Sequence, residues 1–306
     1  MKSIKTTFLI TLLFQSFSVM ALDYILPPED VDVFGEVFTV KVKNNESLLD
    51  IARRYSIGYN EMRQANPGID MWVPGNGTEI TIPARYIIPP VPREGVVINI
   101  AEMRLYYFPK VKKGKQGMVM TYPISVGRRD WDTPIGVTRI VSKKKNPSWT
   151  PPKSIREEHA ADGDILPATV PAGPNNPLGN YAMRLGISGY LIHGTNRPSG
   201  VGMRVTHGCI RMFPEDIEYF FHQVRVGTKV TIVNLPYKAG WLAGTLFLEA
   251  HPLLEDDKKH IAFTNFTPIV DVVAEATKDR KERIDRVAIS RVTKELKGIP
   301  EAISRD

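Results

Sequence analysis

The sequence predicts a mainly β domain, preceded by a small α+β domain and followed by a partly helical C-terminal extension. From residue 95 onwards, short apolar or alternating runs follow one another between charged turns, as in a sheet or sandwich. Residues 37–83 carry a different pattern, which predicts a strand, two helices and a strand. Beyond residue 235 the chain becomes highly charged, with an amphipathic helix near its end.

The first 21 residues have the features of a Sec-type signal peptide. Lys2 and Lys5 form a basic start, an apolar stretch runs from Thr6 to Val19, and Val19 and Ala21 place small residues at the −3 and −1 positions. The alternative is an uncleaved membrane anchor, but the apolar run is short for a spanning helix. We therefore expect an exported chain that begins near Leu22 and has no stable membrane span.

Charge and cysteine content narrow the function classes. The formal net charge is +7 and falls to +5 when Lys2 and Lys5 leave with the signal. A basic exported protein favours acidic polymers such as cell wall, and no nucleic-acid motif is present. With Cys209 as the one cysteine, the chain cannot form an internal disulfide. A lone thiol in an oxidising compartment favours chemistry over structure.

Residues 37–83 form the first predicted folded unit. An alternating strand occupies Phe38 to Val42, and helices are expected over Leu48 to Tyr55 and over Tyr59 to Ala65. A closing strand runs from Glu79 to Pro83. The unit is a compact βααβ domain.

Three further segments complete the predicted organisation. Residues 84–94 are a Pro-rich linker, 95–234 the main β domain and 235–306 the C-terminal extension, with strand pattern over Trp241 to Glu249. Within the main domain, residues 146–180 are rich in Pro and Gly and hold a short helix candidate at Ser154 to Ala161. A stretch of this length and composition predicts a lid loop. In the extension, the spacing of Val287, Arg291, Val292 and Leu296 predicts a helix that either packs on the main domain or binds a partner.

The segment from Leu191 to Met212 is the candidate site. Cys209 follows His207 by two residues and His193 by sixteen, within a Gly-rich turn. A cysteine that transfers an acyl group needs a neighbouring base to form its thiolate, and His193 can act as that proton acceptor if its strand lies beside Cys209. No carboxylate lies between the two residues, so a backbone carbonyl near Gly194 is expected to hold the imidazole tautomer.

The remaining residues of the motif have expected roles with open alternatives. Gly208 allows a strained turn, in which its amide and that of Cys209 point at a developing oxyanion. Arg211 binds a substrate carboxylate or sits in an ion pair. His207 is a base, a structural hydrogen-bonding group or a substrate contact. Zinc ligation by both histidines and Cys209 is disfavoured, because the spacing is awkward and no second cysteine exists.

The motif "IHGTN…G…THGCIRM" resembles the signature of L,D-transpeptidases of the YkuD family. The segments "VVINIAEMRLYYFP", "DTPIGVTRI" and "VPAGPNNPLGNYAMRLG" also resemble that family. In residues 37–83, "SLLDIARRY", "EMRQANPGID" and "TEITIP" resemble a LysM module, a family that binds N-acetylglucosamine-containing glycans. Together they are similar to a Gram-negative periplasmic group that includes enzymes attaching outer-membrane lipoprotein to peptidoglycan.

This resemblance implies a YkuD-like β-sandwich with Cys209 as nucleophile, His193 as proton donor and acceptor, and His207 in support. Cys209 would attack the diaminopimelate carbonyl of a tetrapeptide stem and release D-Ala. The thioester would then be resolved by a lipoprotein Lys or by a second diaminopimelate, giving a 3→3 cross-link. Such enzymes need no cofactor or metal, are inhibited by carbapenems, and act in the periplasm.

Two other functions stay open at this point. Water could resolve the same thioester, which would make the protein an L,D-carboxypeptidase or an amidase. The chain could also be a non-catalytic LysM wall-binding protein, although the intact His193, Cys209 and Arg211 argue against it.

Overall fold

The computed structural model of the chain describes residues 22–111, 113–254, 267–280 and 282–305. The predicted signal peptide, residues 1–21, lies outside these described residues. Among the helices in the described ranges, none has the length and apolar character needed to cross a bilayer.

Strands dominate the structure, as the sequence predicts. In chain order they are β1 (Leu22–Ile25), β2 (Val33–Lys41), β3 (Glu79–Ile87), β4 (Gly95–Asn99), β5 (Arg104–Phe108), β6 (Met118–Pro123), β7 (Val126–Gly127), β8 (Gly136–Lys145), β9 (Tyr181–Leu185), β10 (Leu191–His193), β11 (Arg204–Thr206), β12 (Ile210–Arg211), β13 (Lys229–Val233), β14 (Tyr237–Leu242), β15 (Thr245–Ala250), β16 (Arg283–Ile284), β17 (Glu301–Ala302) and β18 (Ser304–Arg305). The helices are α1 (Leu48–Arg54), α2 (Tyr59–Ala65), α3 (Lys153–Ala161), α4 (Pro214–Gln223), α5 (Thr267–Thr277) and α6 (Arg286–Glu295).

The central feature is a mixed sheet. Within the described residues, nine strands pair in the order β1-β6-β5-β4-β13-β8-β9-β10-β12. The sheet curls until Ser125, just beyond β6, forms a bridge with Arg211 of β12 at the far end. The predicted β-sandwich is therefore replaced by one continuous curled sheet. The reason is that β13 pairs with both β4 and β8 and so joins the two halves, a pairing that strand periodicity alone does not reveal.

One face of this sheet packs against α4. Ile98 and Leu105 of the first half and Ile192 and Ile210 of the second half share a fully buried cluster with Phe220 of α4. Burial of this kind stabilises by about 25 cal/mol per Å² of apolar surface. The cluster fixes β10 and β12, the two strands that flank the candidate site.

The opposite face packs against the βααβ unit. The unit has the predicted order of elements, β2, α1, α2 and β3. Leu48 of α1 and Met62 of α2 share a buried cluster with Tyr106 and Val119 of the central sheet. The unit and the sheet therefore share one apolar core.

The segment predicted as the linker, residues 84–94, begins inside a strand. β3 continues to Ile87, because Tyr86 and Ile87 are buried and residues 83–87 pair with β2. Only the part after Ile87 connects β3 to β4. Burial of Tyr86 and Ile87 thus extends the strand into a stretch whose prolines predicted a linker.

The βααβ unit also contacts the segment that carries the candidate site. The amide of Tyr59 donates to the carbonyl of Val201 at 3.0 Å, and that of Asn60 to Gly202 at 3.2 Å. Gly202 has a φ of +87°, and a Cβ there would lie 2.4 Å from the Cα of Gly58. Only glycine fits this contact. The start of α2 thus fixes the middle of the Leu191–Met212 segment.

The C-terminal extension forms its own small core. The strand predicted over Trp241 to Glu249 is a hairpin of two strands, β14 and β15, because Ala243 and Gly244 adopt positive φ values of 49° and 83° and reverse the chain. Leu246 and Leu248 pack there with helices α5 and α6.

Helix α6 is rotated from the predicted phase. Ala288 and Val292 are buried, whereas Val287, which the sequence assigns to the apolar face, is 73% exposed. The side chain of Asp285 caps the helix by accepting from the amides of Val287 and Ala288. The helix packs mainly on β15 and β17 of the extension itself. The packing partner predicted from the sequence was the main domain, whereas the buried face of the helix packs on the extension itself.

A buried ionic junction joins the extension to the rest of the molecule. The ammonium of Lys238 lies 2.8 Å from Glu102, 2.9 Å from Glu249 and 2.7 Å from the carbonyl of Ile87. Glu249 also contacts His251 at 2.7 Å. Glu102, Glu249 and His251 offer ligand atoms within 4.8 Å of one another, as a metal site would. Here Lys238 supplies the cation that the two carboxylates need.

Candidate active site

Strands β10 and β12 bring the two ends of the predicted site together. They pair in parallel, with Ile192 opposite Ile210 and His193 opposite Arg211. The register places Cys209 beside Leu191. Because side chains alternate along a strand, His193, Arg211 and Cys209 share one face while the two isoleucines point into the core. The expectation that the strand ending in His193 lies beside the Cys209 loop is confirmed.

A strained glycine sets the turn before Cys209. Gly208 has a φ of +91°, and a Cβ there would lie 2.7 Å from the ring of Tyr190 and 3.1 Å from the carbonyl of Asp132. Thr133 donates to the carbonyl of Gly208 at 2.8 Å, and Thr206 to that of Cys209 at 2.6 Å.

Both carbonyls of this turn are therefore occupied. In the described part of the chain, the amides of Gly208 and Cys209 donate no backbone hydrogen bond outside the strand ladder.

The thiol of Cys209 is partly buried. It approaches the carbonyl of Gly189 at 3.6 Å. Burial raises its pKa, and the backbone of Leu191 and the positive charge of Arg211 oppose that shift. The resting group is a neutral thiol at pH 7.

His193 is 5% exposed, and its Nδ1 lies 2.6 Å from the carbonyl of Gly194. A carbonyl only accepts, so Nδ1 carries the proton and Nε2 is left as the basic nitrogen. This is the tautomer control that the sequence predicts. Burial, followed by the charge of Arg211, lowers the pKa of His193 to about 3. The imidazole is therefore neutral and able to accept a proton.

Arg211 is the cation of this face. Burial lowers its pKa, and repulsion from Arg197 acts in the same direction. Its Nε is buried and has no hydrogen-bond partner in the described structure. A buried donor without an acceptor is costly, so the Nε of Arg211 is an energetically unfavourable feature of this face.

Comparison with known proteins agrees with this geometry. Residues 93–232 match the family described as "YkuD: L,D-transpeptidase catalytic domain". The chain is 45% identical over 249 residues to "Probable L,D-transpeptidase YcfS" of Escherichia coli, covering 78% of this chain and 77% of the relative. It is 38% identical over 284 residues to "Probable L,D-transpeptidase YbiS" of the same species, covering 92% and 91%. The chain belongs to the YkuD family of L,D-transpeptidases.

Membership makes the protein a cysteine-dependent acyltransferase. Among solved structures, it is similar to the catalytic domain of an L,D-transpeptidase from Enterococcus faecium. That match has 22% identity and a TM-score of 0.33, and it covers 47% of this chain and 99% of that one.

In this L,D-transpeptidase, the imidazole of His207 contacts α3 and Trp131. Its Nε2 lies 3.0 Å from Glu158 of α3, and the edge of its ring meets Trp131 at 4.8 Å between centroids. Burial lowers the pKa of His207, whereas Glu158 acts in the opposite direction. Of the alternatives open for this residue, the structural hydrogen-bonding role fits these contacts.

Glu158 and Arg128 are site residues that the sequence analysis did not single out. Glu158 also pairs with Arg128, and this hydrogen bond lowers the pKa of its carboxyl group. The helix itself was predicted from residue 154, within one residue of its observed start. Its partner could not be predicted, because Glu158 and His207 are 49 residues apart. The Pro-rich 146–180 segment is thus attached beside Cys209 through α3.

Proposed function

We propose that this chain is a periplasmic peptidoglycan L,D-transpeptidase in which Cys209 is the nucleophile and His193 the general base. The observation that carries the proposal is the shared face of β10 and β12. There a neutral thiol, a basic imidazole nitrogen and the unpartnered Nε of Arg211 lie on two adjacent parallel strands. This face can take up a proton, a carbonyl carbon and a carboxylate at neighbouring points.

Acylation begins with a tetrapeptide stem on this face. Nε2 of His193 takes the proton of Cys209, and Sγ bonds to the carbonyl carbon of diaminopimelate. The oxygen of that carbonyl becomes an oxyanion, which the amides of Gly208 and Cys209 would stabilise. The imidazolium then gives its proton to the nitrogen of D-Ala, the C–N bond breaks, and a thioester remains.

The pKa values of Cys209 and His193 in the free enzyme determine at which stage of the reaction this proton transfer occurs. A raised thiol pKa and an imidazole pKa of about 3 both oppose a thiolate–imidazolium pair in the free enzyme. The charged pair forms only as the carbonyl carbon reacts, which protects an exported lone thiol from oxidation. Arg211 contributes twice, since its charge favours the thiolate and its Nε can bind a stem carboxylate.

The acceptor resolves the thioester. An amine from a lipoprotein Lys or from a second diaminopimelate attacks the carbonyl carbon, gives its proton to His193 and releases Cys209. The first acceptor yields a wall-linked lipoprotein, the second a 3→3 cross-link. Resolution by water, as in an L,D-carboxypeptidase or amidase, would use the same acyl-enzyme.

The βααβ unit and the signal sequence extend the proposal to the whole chain. The unit has the strand-helix-helix-strand order that the LysM resemblance requires, which supports a role in holding glycan next to the catalytic face. The net charge, +7 for the full chain and +5 once Lys2 and Lys5 leave with the signal, suits an anionic wall. Residues 1–21 would direct the enzyme to the periplasm, where both substrates are found.

Carbapenem acylation tests the nucleophile. Intact-mass measurement should show one adduct on the wild-type protein and none on Cys209→Ala, because a covalent bond to Sγ is required. An adduct on the variant would contradict the assignment of Cys209.

Incubation with tetrapeptide muropeptides tests the transfer. Mass analysis should show dimers or amine adducts together with released D-Ala. Tripeptides without any dimer or adduct would identify a hydrolase, and unchanged tetrapeptides with no carbapenem adduct would identify a non-catalytic wall-binding protein.

A further inference from the structure

A groove separates the βααβ unit from the C-terminal extension. It has a volume of about 560 Å³ and lies outside the Leu191–Met212 segment. Its walls come from both sides and include Val37, Arg85, Phe247, Lys297, Ile299 and Pro300. We call it the extension groove.

We propose that the extension groove is a second binding site for carboxylate-bearing peptide, with Arg85 as its anchor. The peptide in question is the stem of peptidoglycan, and that identity rests on the proposed function. The site would hold a stem that is not being acylated, and so keep the enzyme on the wall between reactions.

Arg85 is the observation behind this inference. Its side chain is half-buried and lines the groove, and its Nε, which the protein covers, has no hydrogen-bond partner within the described residues. In the same residues the guanidinium forms no ion pair, and its ring contact is the face of Phe247, 5.9 Å away. A guanidinium presents five donors and binds carboxylates in pairs of hydrogen bonds. The part of the Arg85 guanidinium that lines the groove can therefore bind a carboxylate.

The other charges of the groove are already paired. Arg291 donates to Glu301 at 2.8 Å, and Lys297 lies 2.6 Å from Glu295. Both acidic groups are neutralised by these contacts, so neither repels an anion. The cation left for a ligand is Arg85.

Size and walls favour a peptide over a small anion. A volume of about 560 Å³ falls in the range of sites for small organic ligands, and it far exceeds a single phosphate. Val37, Ile299 and Pro300 give apolar surface on which the aliphatic parts of a stem can pack. Phosphate alone would leave these walls in contact with water.

The test uses the full chain with Cys209→Ala, so that no stem is consumed. The arginine Nε–H signals are followed by ¹H–¹⁵N NMR as a free tetrapeptide stem is added, and Arg85→Gln identifies the signal of Arg85. We expect this signal to shift with the free stem and not with a stem whose carboxylates are amidated. Affinity at this site should fall at least tenfold in Arg85→Gln, about the loss of one charge-assisted hydrogen bond.

Arg139→Gln is the matched control, because it removes the same charge from an exposed position on β8. It should leave the Arg85 shift unchanged. An Arg85 signal that ignores the stem would overturn the proposal, as would one that responds equally to inorganic phosphate. These readings come from protein with native Arg85 and do not depend on the folding of Arg85→Gln.

The carbapenem adduct on wild-type protein reports the catalytic face separately. Loss of that adduct with a retained Arg85 shift would refute the proposed function alone. A retained adduct without an Arg85 shift would refute only the proposal that the extension groove binds the stem.

Discussion

Two clusters of buried titratable groups differ in how completely they are paired. In the buried junction, the charge of Lys238 is matched by Glu102 and Glu249, and His251 adds a further contact. On the catalytic face, Arg211 has no acid partner among the described residues, and Cys209 and His193 are both neutral. The junction joins three parts of the chain, whereas the catalytic face leaves its donors and its base for a substrate.

The pKa shifts show the same contrast. Burial alone would raise the pKa of Glu249, yet the ammonium of Lys238 holds it below its ordinary value. Burial likewise would lower the pKa of Lys238, and the two carboxylates raise it instead. At His193, by contrast, burial acts with Arg211 and the pKa falls to about 3. Lys238 thus keeps Glu249 charged, although burial still raises the pKa of Glu102. Burial and Arg211 instead keep His193 neutral.

Two arginines, Arg104 and Arg211, differ in the same way in how their donors are paired. Arg104 donates to Glu61 at 2.7 and 2.9 Å and to the carbonyl of Ser56 at 3.1 Å, so it is structurally satisfied. The Nε of Arg211 is buried without an acceptor among the described residues. The two Nε atoms thus differ in pairing and not in burial.

The largest expected effect is on catalysis. His193→Gln should slow carbapenem acylation of Cys209 by about 10²- to 10⁴-fold, because the general base is lost. Adduct formation over time, followed by intact mass, measures this rate. His222→Gln, an exposed histidine of α4, is the control and should react at the wild-type rate. Equal rates in all three proteins would remove His193 from the mechanism.

Loss of the cation from the buried junction should lower the free energy of unfolding. Lys238→Met leaves Glu102 and Glu249 without their cation, and loss of one partner from a buried pair costs about 3–5 kcal/mol. Urea unfolding measures the change. Lys229→Met removes an exposed lysine paired with Glu94 and should cost about 0–1 kcal/mol. Similar losses in both variants would show that the junction does not hold the extension in place.

Acid should destabilise the protein through His193. Its pKa is about 3 in the folded chain and 6.5 as the ordinary value, so the unfolded chain binds more protons between these limits. The stability present above pH 6.5 is therefore lost as pH falls towards 3, by up to about 1.4 kcal/mol per pH unit. His193→Gln should remove this component of the pH dependence of the unfolding free energy. An unchanged slope of the unfolding free energy against pH would mean that the His193 side chain is more accessible to water than its exposure of 5% indicates.

The smallest effect is expected at the attachment of α3. Glu158 is about one-third exposed, so Glu158→Gln should change acylation only about two- to fivefold, the range of a surface ion pair. It should also speed proteolysis within residues 146–180, because α3 loses its contacts with His207 and Arg128. Glu157→Gln, on the same helix and paired with Lys153, is the control. Faster proteolysis in the control alone would contradict the attachment.

The sequence by itself determined the features that depend on neighbours along the chain. The motif around His193 and Cys209 identified the family, and the pattern from Ser154 placed α3 within one residue of its observed start. The positive φ of Gly208 followed from its place in the turn. Periodicity and turn chemistry are local properties, so a reader of the sequence can recover them.

Only the tertiary structure decided which distant groups meet. Lys238 and Glu102 are 136 residues apart, and no local pattern marks them as partners. The same holds for β13 with β4, whose pairing turns a predicted sandwich into one curled sheet. Such contacts depend on strand register and on packing across the whole chain, and a periodic pattern fits several registers equally well. The buried Nε atoms of Arg211 and Arg85, which have no hydrogen-bond partner within the described residues, became visible only in the tertiary structure.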